Sequence, residues 1–395
     1  MSLLSVDQAL EMVLGLARPP CPEDVDIQDA LGRVLMRDAV STITQPPFDA
    51  AAMDGYALRS ADLPGPLRVV GESAAGRPWP GTLGLGEALR IFTGAPVPAG
   101  ADRVVMQEDT ARDGDGVTVT GKVGRTHIRP RGNDFAEGEA VPAGRRLSAV
   151  DLALLAAMNV PRVTVARAPR VAVLAGGDEL VRPGEVPGPG QIISSNDIAV
   201  AALARAAGAE ARILSLARDS EESLRAAFED ARGADLVVTI GGASVGDHDL
   251  IGRVAAGLGM DRAFHRIAMR PGKPLMAGRL GDSAMLGLPG NPVSAIVTAV
   301  LFMQPLIRRM QGQAEAAALL RHGILGRSLP PEGDRQHYLR AQLGEDERGT
   351  VVEPFQDQDS ARLKLMAEAD ALLVRPAGDP AREIGSRVCY IPLSR

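Results

Sequence analysis

Apolar positions recur with a helical period from Ser5 to Ala17, where Val6, Leu10, Val13, Leu14 and Leu16 form a stripe and Ser5 stands at the capping position. Residues 26–40 read as a short helix and a strand. From Gln45 to about Gly144 the texture changes to short β-rich runs cut by Gly and Pro. LRVVGES, EALRIFTG, DRVVMQED and GVTVTGKV predict strands there, with no long helix among them. Leu147 to Met158 is helical again, ending before NVPRVTV.

After Pro169 the runs become almost continuously apolar and alternate with short helical patterns. RVAVLAGG, ARILSLARD and ADLVVTIGG predict strands, and Asn196–Ala207, Ser220–Ala231 and Leu250–Leu258 predict helices. AFHRIAM, PLMAGRL and AMLGLPG are strand-like, and a helix runs from Pro292 to about Met310. Strands apolar on both faces and separated by helices predict a parallel, doubly wound sheet. QGQAEAAALLRHG reads as a helical linker. Beyond it GILGRSL, RQHYLRAQL, GTVVEPF, DALLVRP and RVCYIPL predict strands of a small C-terminal β domain. The expected division is 1–44 with 140–168 as a helical/β linker domain, 45–139 as a β-rich module, 169–312 as the α/β domain and 313–395 as the β domain.

Composition narrows the function classes. The chain has 395 residues with 45% hydrophobic and 23% charged side chains, the balance of a globular protein of several domains. Aromatics at 3% leave little for stacking on single-stranded nucleic acid, and a net charge of −6 opposes a general nucleic-acid or anionic-membrane surface. Cys21 and Cys389 lie at opposite ends of the chain, in no metal-ligand spacing. The N-terminal stripe carries acids and no basic start, unlike a signal peptide. The longest apolar run, Ala295 to Met303, is too short to span a bilayer. A cytoplasmic location is expected, with no membrane or nucleic-acid partner.

The candidate chemistry sits at the predicted strand ends, where doubly wound sheets bind ligands. These ends read AGGDEL (Ala175–Leu180), Arg218-Asp219, GGASVGDHD (Gly241–Asp249) and GLPGNPVS (Gly287–Ser294). Gly241, Gly242 and Gly246 let backbone N–H groups close on an oxyanion, and Ser244 and Ser294 add hydroxyl donors. Pro289, Gly290, Asn291 and Pro292 end a strand and open a helix. Asn291 takes the cap and Pro292 the first turn, so the free N–H groups of that end form an anion seat. RIAMRPGKP adds Arg266, Arg270 and Lys273, with Arg suited to bidentate oxyanion contact. Glu179, Asp219, Asp247 and Asp249 are acids at the same loops, and carboxylates facing phosphates share Mg²⁺. His248 reads as a loop residue. In the β-rich part Asp54-Gly55 is a turn signal, Thr93 ends a strand with its hydroxyl available, and Asp134 is either a turn residue or a metal-facing acid.

Taken in order, FDAAAMDGYA, FTGAPVPAGAD, GDEL after a strand, GGASVGDHD, MRPGKP and GLPGNPVS closely resemble the molybdopterin molybdenumtransferases. These are the bacterial MoeA family and the E domain of gephyrin, and the likeness covers essentially the whole chain. It implies a multidomain α/β plus β fold: a doubly wound molybdopterin-binding α/β domain, an elongated β-rich N-terminal module and a small C-terminal β-barrel-like domain. It implies Mg²⁺-dependent insertion of molybdate into adenylylated molybdopterin with release of AMP. It also implies a homodimer, and transient contact with other cofactor-biosynthesis proteins and acceptor molybdoenzymes. Carried over by motif, Asp54, Thr93, Asp134, Glu179, Asp219, Asp249 and Lys273 are the functional residues. Glu179, Asp249 and Asp54 are the metal-facing set, while Arg270, Ser244 and Ser294 lie nearest the oxyanion. The chain departs from the family pattern at Ala175-Gly176, Asn133, Ala243 and Arg270. Two alternatives stay open at this stage: a molybdopterin adenylyltransferase, and a non-catalytic gephyrin-like scaffold. A nicotinamide dehydrogenase is disfavoured because no G-x-G-x-x-G opens a βαβ unit.

Overall fold

The computed structural model describes residues 3–241, 250–314 and 316–393. It divides into two compact units. One comprises Met1–Glu23, Gly32–Val34 and Ala166–Arg395, and the other comprises Asp24–Leu31 and Leu35–Val165.

The second unit is built on a six-stranded sheet in the order Arg103–Met106, Gly55–Leu58, Glu87–Ile91, Leu67–Ser73, Gly116–Val119, Thr110–Asp113. Side chains alternate across it: Tyr56 and Leu58 join one apolar cluster and Ala57 the other, so both faces are covered. The Asp54-Gly55 pair, expected as a turn, is instead the entry to a strand, and the bend occupies residues 52–54. Gly55 pairs with Ile91 on one side and Met106 on the other. A Cβ at this position would stand 1.8 Å from the Val105 carbonyl oxygen, so glycine is required by a close backbone approach. Gly55→Ala is expected to destabilise this unit by roughly 2–3 kcal/mol, read as a lower urea midpoint for its unfolding.

The first unit contains a central six-stranded sheet in the order Glu210–Ile213, Arg170–Ala175, Leu236–Ile240, Ser283–Leu288, Met276–Leu280, Asp261–Phe264. The first four strands are parallel, and alternate residues feed two cores. Val171, Val173 and Ala175 face one side, and Ala172 and Leu174 the other, each covered by helices. This is the expected doubly wound arrangement, with one correction: the sheet is mixed, because its last two pairings are antiparallel. The cause is the connection. Only Gly281-Asp282 separates Leu280 from Ser283, a two-residue hairpin loop with no length for a crossover helix.

Two further expectations change. AFHRIAM is not one strand. Phe264 ends a strand of the central sheet, while Met269–Arg270 pairs with Gln336 and His337 in the C-terminal sheet. The linker after Met310 is not helical among its described residues. Leu319 and Leu320 are 64% and 54% exposed, so the segment has no apolar stripe to bury, and propensity alone does not sustain a short helix.

The helix Pro292–Met310 is continuous but widens to a π turn over Ala299–Met303. Pro305 follows it, with only Gln304 between. It lacks an N–H and would clash with a carbonyl one turn back, which the wider turn relieves. By length and composition this helix passes for a membrane span, yet 78% of it is buried as the core helix of this unit.

Strands Arg321–Leu325, Gln336–Asp346, Gly349–Pro354, Ala371–Arg375 and Arg387–Pro392 close on themselves, because the Gln336 strand pairs with both the Gly349 and Ala371 strands. The result is a five-stranded barrel filled by Leu325, Leu339, Ala341, Val352, Leu373 and Tyr390. Closure removes the exposed edges that a small open sheet would leave.

Candidate functional site

Three adjacent parallel strands, Arg170–Ala175, Leu236–Ile240 and Ser283–Leu288, end at one cavity of about 820 Å³. Its walls carry Ala175 to Gly177, Ile240-Gly241 and Pro289 to Pro292, together with Glu179, Asp219 and Ser294. This is the carboxyl edge of the sheet, where the loops were expected to gather. Gly241 takes φ +89°, and an added Cβ would crowd the Gly176 carbonyl oxygen at 3.3 Å. Its N–H donates to the Leu288 carbonyl at 3.1 Å, tying two strand ends together.

Glu179 is exposed at a tight turn, and its carbonyl accepts the Ile192 N–H at 2.7 Å. The excursion from Gly176 to Ser195 that carries it is long for a βα connection, as functional loops often are. It is anchored from below. Arg182 forms an ion pair with Asp197 at 2.5 Å and donates to the Leu214 carbonyl at 2.6 Å, while the Ser194 hydroxyl donates to Asp197 at 2.9 Å. Asp197 is fully buried. Asp219 is held close to this loop, accepting the Asp178 N–H at 3.4 Å and returning its own N–H to Asp178 at 3.3 Å.

The GLPGNPVS turn differs from the expected anion seat. Asn291 occupies the cap position with extended backbone, but its side chain does not cap the helix. It donates to the Ser360 hydroxyl at 3.0 Å. The Val293 N–H donates to the Ser360 carbonyl at 3.1 Å, and Pro292 has no N–H. The helix end is thus already largely occupied by protein, and Ser294 remains as its polar contribution to the cavity wall. Asn196 fixes the other side of this turn, donating to the Gly290 carbonyl at 2.6 Å.

Ser360 and its neighbour Ala361, a wall residue, come from the C-terminal domain and were missed by sequence reasoning, as were Ile192 to Asn196. The only signal in the sequence was the Asp- and Ser-rich turn QDQDSA.

Lys273 and Arg270 flank the turn whose following residue, Pro274, lines the cavity. Both side chains are exposed and neither is itself a wall residue. Arg266 is also exposed and lies in the bend that precedes the Met269–Arg270 strand. Gly242, Ser244, Gly246 and Asp249, with Asp247 and His248, lie outside the described residues.

The second unit brings two of its expected residues together. Both the Thr93 N–H and hydroxyl donate to one Asp54 oxygen, at 2.7 and 2.8 Å. The Thr93 backbone hydrogen bond and then its hydroxyl hold the Asp54 carboxyl below its ordinary range against the opposing effect of desolvation, with the charge of Arg90 a lesser contribution. Arg90 is itself fixed by stacking on Phe92 and Tyr56, with 4.6 and 5.3 Å to the ring centroids. Thr93→Val removes the hydroxyl and keeps the N–H. The Asp54 titration should therefore move upward while staying below that of an ordinary aspartate, as followed by carboxyl ¹³C NMR. Asp134 is exposed in a turn whose N–H donates to the Gln45 carbonyl at 3.1 Å.

For a divalent cation, the donor set of the cavity fits in kind. Glu179 and Asp219 present carboxylates to one space, and Mg²⁺ is commonly held by one or two carboxylates with substrate oxygens completing its shell. Among the described residues no three His, Cys, Asp or Glu side chains gather into a dedicated cage. Asp54 belongs to the other unit.

Against known proteins, a family model described as the MoeA N-terminal region (domains I and II) matches residues 4–159. One described as a probable molybdopterin binding domain matches 172–309, and one described as the MoeA C-terminal region (domain IV) matches 322–393. The molybdopterin molybdenumtransferase of Nostoc sp. (strain PCC 7120) is 36% identical over 387 residues, covering 94% of this chain and 88% of that protein. Its counterpart in Haemophilus influenzae is 39% identical over 320 residues, covering 79% of each. A solved structure of the molybdopterin biosynthesis MoeA protein from Pyrococcus horikoshii superposes with a TM-score of 0.84 at 32% identity, covering 100% of both chains.

Proposed function

Because the chain belongs to the molybdopterin molybdenumtransferase (MoeA) family, the transferases of molybdenum cofactor biosynthesis, we propose that the 820 Å³ cavity is where adenylylated molybdopterin receives molybdate and AMP leaves. The observation that carries this reading is the convergence of three parallel strand ends on one cavity with Glu179 and Asp219 in its wall. Breaking a pyrophosphate bond demands charge neutralisation and alignment more than a covalent nucleophile.

The residues divide that work. The close-packed strand ends at Gly176, Gly241 and Gly290 let a phosphate approach the backbone. Ser294 offers a hydroxyl, and the Asn291–Ser360 clamp fixes the turn that carries it. Arg270 and Lys273 supply positive charge to the oxyanion at the cavity mouth, Arg270 as a planar fork and Lys273 as a point charge. Glu179 and Asp219 are the residues that would hold Mg²⁺, which when bound neutralises phosphate oxygens. Asp249 is assigned to the same set by its motif alone. Asp54, Thr93 and Asp134 are assigned functional roles in the second unit, and a homodimer belongs to the same proposal.

A single-turnover assay with purified protein, Mg²⁺, molybdate and adenylylated molybdopterin tests this, following AMP by chromatography. AMP release that depends on molybdate supports the insertion reaction. Equal release without molybdate contradicts the coupling of cleavage to insertion, and no release from tightly bound substrate contradicts catalysis in favour of a carrier role.

A further inference from the structure

Three basic residues lie in one row across three neighbouring strands. Arg270 is directly opposite His337 in the parallel pairing of Met269–Arg270 with the Gln336 strand. His337 is directly opposite Arg375 in the antiparallel pairing on its other side. Directly paired residues project from the same face with Cβ atoms about 5 Å apart. The central and outer members differ sharply in setting. His337 is 6% exposed and Arg375 1%, whereas Arg270 is exposed and its guanidinium has no hydrogen bond or ion pair among the described residues.

The counter-charges are unevenly placed. Asp379 pairs with Arg375 and also with Arg382, at 2.6 Å for the latter. Arg375 donates to the Pro330 and Pro380 carbonyls, yet its Nη1 is buried with no partner. Glu332 meets His337 at Nδ1, 3.0 Å away, from the turn before the strand. With Nδ1 engaged by Glu332, Nε2 is the atom left to take a proton. The charged groups around the imidazole are therefore Glu332, Arg270 and Arg375, with Asp379 and Arg382 behind Arg375. A proton on His337 adds a third cation to a row whose exposed member, Arg270, unpaired among the described residues, heads the turn beside the cavity.

We infer that His337 is a positioning residue for Arg270, and that an oxyanion settling on Arg270 is bound together with a proton taken from solvent by His337. The inference rests on the assignment of Arg270 to the oxyanion. Without an anion, burial is the largest influence and holds the imidazole below its usual range against the hydrogen bond and charge of Glu332, with Arg270 and then Arg375 adding smaller pushes in the same downward direction. An anion on Arg270 cancels part of that repulsion, and by linkage the proton strengthens anion binding as much as the anion strengthens proton binding.

The test is a histidine Cε1–H NMR titration of the full chain, which has five histidines, with His337→Gln identifying the signal. Saturating molybdate should move the His337 midpoint upward by about one pH unit, and Arg270→Ala should abolish the movement. Molybdate affinity of the wild type should weaken as pH rises. In His337→Gln, which keeps a hydrogen bond for Glu332 but cannot take the proton, that dependence should flatten. An unmoved midpoint with molybdate bound, or an unchanged pH slope in His337→Gln, overturns the inference. Arg270→Ala binding molybdate as tightly as the wild type overturns the Arg270 assignment itself, a separate and distinguishable failure.

Discussion

Glu179→Ala is expected to slow molybdate-dependent AMP release by roughly 10²–10³-fold, the usual loss when one preorganised electrostatic group is removed from a reacting centre. The reason lies in its place. Glu179 lies just beyond the carboxyl end of the Arg170–Ala175 strand, in the wall of the cavity, on a turn pinned by the Ile192 N–H. Being exposed, it has no packing role whose loss would confuse the result. Substrate affinity should change by less than about tenfold, because the glycine strand ends and the Asn291–Ser360 clamp remain, so the loss falls on kcat rather than KM. Single-turnover rates at saturating substrate, beside a direct titration of substrate binding, separate the two. A Glu179→Ala enzyme that turns over at the wild-type rate removes Glu179 from the site.

Asp197→Ala is expected to be the most damaging change to stability in the α/β domain, about 3 kcal/mol. It strips a fully buried carboxylate that takes the Arg182 ion pair, the Ser194 hydroxyl and its neighbour's N–H, from Ile198 at 3.0 Å. Arg182 retains some access to solvent, which keeps the cost at the lower end for a broken buried pair. The second consequence is functional. Arg182, three residues beyond Glu179, and Ser194 both anchor the excursion that carries Glu179, so the same variant should lose at least tenfold in AMP release even where it is folded. Urea unfolding and single-turnover rates on one preparation read both effects. Lost stability with undiminished turnover would mean that the anchor and the cavity are independent.

How much of this was legible beforehand depends on range. The parallel strands were readable because each is apolar on both faces, and the first helix start because Ser5 stands where its side chain caps it. The antiparallel end of the sheet was missed although its signal, Gly281-Asp282 between two apolar runs, was local. The helical linker was a propensity reading with no burial behind it. In the site, the strand-end loops were readable as glycine and charge beside apolar runs. The occupation of the Pro292 helix end was not, because Ser360 arrives from 69 residues further along the chain. Nor was His337, whose partners meet only through strand register.

The account's central claim is that the oxyanion is handled at the carboxyl edge of the central sheet, and anomalous diffraction at the molybdenum edge tests it most directly. Crystals grown with molybdate and AMP should show the metal in or at the mouth of the cavity lined by Glu179, Asp219 and Ser294, toward the Arg270–Pro274 turn. The opposite edge of the sheet offers a rival, a concavity lined by Arg170, Arg205, Arg212 and Arg232. Those arginines are partly accounted for locally, Arg205 and Arg212 donating to the Ala211 and Asp230 carbonyls. Molybdenum found there, with the Glu179 cavity empty, would contradict the account.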